Sequence, residues 1–129
     1  MSLAVKHLSA FRDMWQHPFF RVVTSLSLLT WLASVALLSV RVLPIIYGKT
    51  AVPLHYNIHI GVDTVGPWWR IYLVPVIGLI IIVTNIFLAR FMWSRDPVLS
   101  HVAGITALLL QIVLLTATVF IVYLSLQYA

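Results

Sequence analysis

A chain of 129 residues with 62% hydrophobic and only 9% charged residues has too few ionic groups to cover a soluble core. A soluble domain carries about 25% charge, so the surplus apolar surface must face lipid. The net charge of +5 does not point to nucleic acid, because the basic residues flank apolar runs and form no continuous stripe along which phosphates could track. The absence of Cys excludes disulfides, thiolate metal sites and thiol nucleophiles; the acids are Asp13, Asp63 and Asp96 alone.

Residues 2–17 come first. Ala4, Leu8, Phe11 and Trp15 recur there at helical spacing, with Lys6, Ser9, Asp13 and Gln16 on the other face. The pattern predicts an amphipathic helix, suited equally to an interface bearing anionic lipid and to packing on a partner helix. Pro18 then breaks the direction and suits the first turn of the helix that follows.

Apolar runs at 22–42, 69–89 and 98–126 each reach the length of about 20 residues that a helix needs to cross a hydrocarbon core. None holds an Asp, Glu or Lys in its interior, where a charge would be costly. The last exceeds a minimal span and is expected to tilt or project. The first is preceded by 21 residues and exits through Leu38-Ser39-Val40-Arg41, which reads as a retained signal anchor and not as a cleaved leader. Lys6, Arg12, Arg21, Arg90 and Arg95 outnumber Arg41, Lys49 and Arg70 across the spans. The positive-inside bias therefore places the N-terminus in the cytoplasm, with the loop at 43–68 and the C-terminus outside. Trp68, Trp69, Tyr72, Tyr123 and Tyr128 suit the outer boundary, Phe91 and Trp93 the inner one. The expected fold is one all-α membrane domain over 1–129. It has three transmembrane helices, an interfacial helix and a short extended outer loop, in the plasma or inner membrane.

Small and weakly polar residues mark the faces on which such helices meet, because lipid supplies little hydrophobic force between them. These are Ser27, Thr30 and Ser34 in the first span, and Gly78 and Asn85 in the second, where Pro75 is expected to kink the first turns. In the third, Gly104, Gln111, Thr118 and Ser125 recur every seven residues, the period of left-handed packing. A carboxamide in hydrocarbon needs a partner. At about 1.5 Å rise per residue, Gln111 comes level with Thr30 and Ser34, and Asn85 with Ser27 and Thr24. The expectation is a bundle in which the hydroxyls of the first span meet the two amides.

The loop at 43–68 is far longer than a turn requires. From Leu54 to Ile60 it alternates, with Leu54, Tyr56, Ile58 and Ile60 on one side and His55, Asn57 and His59 on the other. That is the period of a half-buried strand, punctuated by Gly61 and Gly66-Pro67. A short, hairpin-like extended segment is expected, its apolar side facing the bundle. The string Pro53-x-His55-Tyr56-Asn57, then Gly61-x-Asp63 and Gly66, resembles the signature of a bacterial membrane domain family of unknown function that also occurs in immunity proteins against the sporulation-delaying toxin. The resemblance spans roughly Tyr47 to Ala89 and includes Pro75 and Asn85 in the next helix. It implies a prokaryotic protein with the motif outside the cytoplasm between two membrane helices, and no established chemistry.

His55, His59 and Asp63, spaced by four, are competent metal ligands. The commoner use of these residue types is structural: His55 and Asn57 bonding loop backbone, Asp63 capping a turn. No nucleophile elbow, paired carboxylates, phosphate-cradling loop or zincin motif is present. Asp96 in Arg95-Asp96-Pro97 suits the N-terminus of the third helix, and His101 lies one turn inside it. The residues therefore favour a non-enzymatic partner-binding, accessory or immunity-type membrane subunit. It would need no cofactor and would contact lipid and other membrane subunits or copies of itself, and no nucleic acid. The alternative is a homo-oligomeric small transporter or channel lined by Ser27, Thr30, Asn85 and Gln111; a metal-dependent enzyme comes third.

Overall fold

The computed structural model describes residues 3–127, without the side chains of Leu3, Lys6, His7, Tyr56, Val62 and Asp63. Helix α1 (Leu3–Gln16) is followed by α2 (Pro18–Leu37), a π-helical segment (Leu38–Val42) and α3 (Leu43–Ile46). Strands β1 (Val52–Asn57) and β2 (Gly61–Gly66) come next, then a 3-10 turn (Trp68–Tyr72), α4 (Leu73–Trp93) and α5 (Pro97–Gln127). Three helical stretches, Pro18–Ile46, Trp68–Trp93 and Pro97–Gln127, are long and apolar enough to cross a membrane. The chain therefore has the form of a multi-pass membrane protein.

The first span runs past its expected limits because both prolines fit inside it. Pro18 stands at the first helical position, where its missing N–H would have had no partner. Pro44 would break an α-helix, since it cannot donate to the carbonyl of Val40 and its ring would collide with it. The backbone widens instead: Leu43 donates to Leu38 five residues back, Tyr47 bonds to Leu43 at 2.9 Å, and the helix continues to Ile46. The chain around Pro44, expected as loop, is thus helical. Pro75 lies in the first turn of α4, and the 3-10 turn ahead of it avoids the bond to Ile71 that Pro75 cannot make.

α5 packs along both α4 and α2 and so forms the centre of the bundle. Its 31 residues extend about 46 Å at 1.5 Å each, beyond a hydrocarbon core of about 30 Å. Asp96 caps it, its carboxylate accepting the N–H groups of Val98 at 2.9 Å and Leu99 at 3.4 Å. One turn later the Ser100 hydroxyl, fully buried, donates to the carbonyl of Ala89 at 2.7 Å and fastens the start of α5 to the end of α4.

Apolar clusters close the two ends. At one, Met14 of α1 is buried against Phe20, Ala89 and Ala103, flanked by Phe19 and Trp93. The stripe expected to face lipid or a partner is exposed at Leu8, Phe11 and Trp15, with Phe11 stacked on Trp15 at 6.0 Å. At the other end Leu38, Val42, Ile46, Val52 and Ile71 form the core, joined by Leu54, Trp68, Tyr72, Ile121 and Val122.

Candidate functional site

The hairpin is built on the second of these ends. β1 and β2 pair antiparallel, from Val52 opposite Gly66 to Asn57 opposite Gly61, with irregularities on either side of His55. Val52 is only 2% exposed, and Leu54 packs on the same cluster of helix-end residues, so the base of the hairpin is anchored. Gly66 allows this: a Cβ there would stand 2.5 Å from Leu54 Cδ1. The Tyr47 and Trp68 rings meet at 5.3 Å, and the Ser39 and Tyr72 hydroxyls at 2.9 Å. Arg70 lies over the Trp69 ring at 5.8 Å.

The strand stops earlier than its alternation predicts. Asn57 turns its side-chain carbonyl to accept the backbone N–H of His59 at 2.9 Å, and Gly61 takes a φ of +81° that completes the reversal. Residues 58–60 are therefore turn, not strand. Two expectations fall with this. Ile58 and Ile60 do not face the bundle but are 81% and 72% exposed at the tip. His59 does not share a strand face with His55 and Asn57. Pro53 and His55 are exposed, and the side chains of Tyr56 and Asp63 lie outside the described residues. Among the described residues no three His, Asp or Glu side chains gather as a metal site would need.

No family model, curated protein or solved structure matches this chain. Its function must be argued from its own geometry.

Within the bundle the polar side chains choose partners other than those expected. Gln111, 1% exposed, donates to the main-chain carbonyl of Gly78 at 2.7 Å. Asn85 donates to Ile81 at 2.9 Å, Ser34 to Thr30 at 3.2 Å, Thr30 to Leu26 at 2.7 Å and Thr118 to Leu114 at 2.9 Å. Each of these four lies one turn back on its own helix. In a helix that carbonyl is within reach of a hydroxyl or amide, and these four use it in place of a more distant side chain. The stripe Ser27, Thr30 and Ser34 therefore makes no bond to either amide. Gly104 packs near Phe19, and Ser125 is half-buried near the end of α5.

Trp31 was not singled out by its sequence context, yet it fastens the first two spans by donating its indole N–H to the carbonyl of Pro75 at 2.7 Å. The available signal was a Trp in mid-span, whose N–H must find an acceptor in lipid. A second group without a sequence signature is the ring cluster at the α1 end, where His101 lies 4.5 Å from Phe19, 5.1 Å from Phe20 and 5.6 Å from His17. His101 is too far in sequence from His17, Phe19 and Phe20 for any local pattern to join it to them.

Proposed function

We propose that this protein is a non-enzymatic membrane subunit that binds another membrane protein through its hairpin. In this reading the N-terminus and the α4–α5 turn are cytoplasmic, and the hairpin and C-terminus face outward from the plasma or inner membrane of a prokaryote. The positive-inside bias supports that orientation. The observation that carries the reading is the hairpin's division of labour: Val52 and Leu54 anchor its base on the helix ends, while Ile58 and Ile60 stand exposed at the tip. Two exposed isoleucines flanking His59 on a tethered turn offer an apolar anchor of the kind that fills a partner's pocket. An immunity-type role, intercepting a toxin, is one form of this reading, supported by the resemblance of the loop motif. The test is recovery of partners from native membranes in mild detergent, comparing the native chain with Ile58→Asp/Ile60→Asp. A stoichiometric membrane partner retained by the first and lost by the second supports the proposal. Recovery of nothing but further copies of the chain favours the homo-oligomeric transporter or channel.

A further inference from the structure

Ser27 breaks the rule that the other buried hydroxyls of the bundle follow. Ser34, Ser100 and Thr118 each donate to a main-chain carbonyl. Ser27 is as deeply buried, 1% exposed, and its hydroxyl has no partner among the described residues. A serine in a helix can turn to the carbonyl one turn back, here that of Val23. Ser27 lines a cavity of about 20 Å³ together with Thr24 and Asn85. Gly104 and Ala107 of α5 leave this space by their small size, and Met14 and Trp15 of α1 border it.

One water molecule needs roughly 10–15 Å³ of such volume and at least two polar neighbours. The cavity exceeds that volume, and Ser27, Thr24 and Asn85 are the polar residues that line it. The carboxamide of Asn85 has two N–H donors and a carbonyl acceptor, of which one donor is used on Ile81. An unpaired hydroxyl in a low-dielectric bundle is costly, and a bridging water removes that cost. We propose that this cavity binds one water molecule, which bridges the Ser27 hydroxyl and the Asn85 carboxamide beneath α1. The site is independent of the hairpin and of any partner bound there.

The sign of one substitution separates a hydrated site from a dry one. In a dry cavity Ser27→Ala deletes an unsatisfied group, so stability holds or rises. With a bridging water the substitution removes one of its anchors. The ratio of folded to unfolded protein, read by reversible unfolding in mixed detergent micelles, is then expected to fall about threefold to tenfold. In an Asn85→Leu background the same substitution should change the ratio by less than about twofold, because the bridge is already lost. Asn85→Leu also forfeits the bond to Ile81, so a direct measurement stands beside the cycle: magnetisation transfer from water to the Asn85 side-chain amide protons in deuterated detergent. Transfer that weakens in Ser27→Ala is the expected result. A neutral or stabilising Ser27→Ala, an equal loss in both backgrounds, or no transfer from water overturns the proposal.

Discussion

The carboxamide of Gln111 reaches across from α5 and donates to the backbone carbonyl of Gly78 in α4, 2.7 Å away. The absence of a side chain at Gly78 is what brings the two together: a Cβ there would stand 3.1 Å from Gln111 Oε1 and 3.3 Å from both Leu114 and Trp31. Three spans therefore converge on one glycine.

Gly78→Val should separate the spans, since two branches beyond the Cβ have no free space among Gln111, Leu114 and Trp31. The expected loss is about 2 kcal/mol or more, in the range of overpacked cores. Gln111→Leu keeps the volume and forfeits one hydrogen bond, with an expected loss of about 0.5–1 kcal/mol. Unfolding of purified variants in mixed micelles ranks them. A Gly78→Val protein as stable as Gln111→Leu would refute the close-crossing account.

The turn between α4 and α5 depends on two short-range bonds. Asp96→Ala removes the cap of α5, and Ser100→Ala removes the buried link to Ala89. Each is expected to cost about 1 kcal/mol, with a difference in reach. Faster amide exchange should stay within the first turn of α5 for Asp96→Ala and extend to the end of α4 for Ser100→Ala. Hydrogen exchange resolved along the chain distinguishes the two patterns.

Pro44→Ala restores the donor whose loss widens the helix between Leu38 and Val42. A relaxed α-helical path would rotate α3 by about 100° for the one residue absorbed. Ile46 would then leave the cluster that holds Val52 and Leu54. Protection of the β1 amides from exchange is expected to fall while that of α5 is unchanged. Unaltered protection in β1 would mean that the hairpin does not depend on the π segment.

Orientation can be tested without background labelling, because the chain contains no cysteine. His59→Cys places a thiol at the exposed hairpin turn, and Ser94→Cys places one in the exposed α4–α5 turn. A membrane-impermeant maleimide applied to intact cells should label the first and spare the second until the membrane is opened. The reverse pattern would invert the proposed topology and put the hairpin in the cytoplasm.

Composition and apolar run length were enough to mark three helices long and apolar enough to cross a membrane, and the reason is local. In lipid every backbone N–H and C=O must be satisfied, and a single segment achieves this only by bonding within itself as a helix. The cap at Asp96 was legible for the same reason, since donor and acceptor lie within three residues. The hairpin was legible in outline from its alternation and glycines, but the pattern ran on through Ile58 and Ile60. It could not register that Asn57 ends the strand by bonding its neighbour's backbone. Only the tertiary structure decided that Gln111 meets Gly78 and not the hydroxyls of α2, that Met14 is the residue of α1 buried in the bundle, and that Ser27 opens onto a cavity shared with Asn85. Those outcomes depend on the rotation of each helix about its axis, and on whether a polar group takes the carbonyl on its own helix or one across the interface. Rotation is fixed by the packing of all three spans at once, so no single segment carries it.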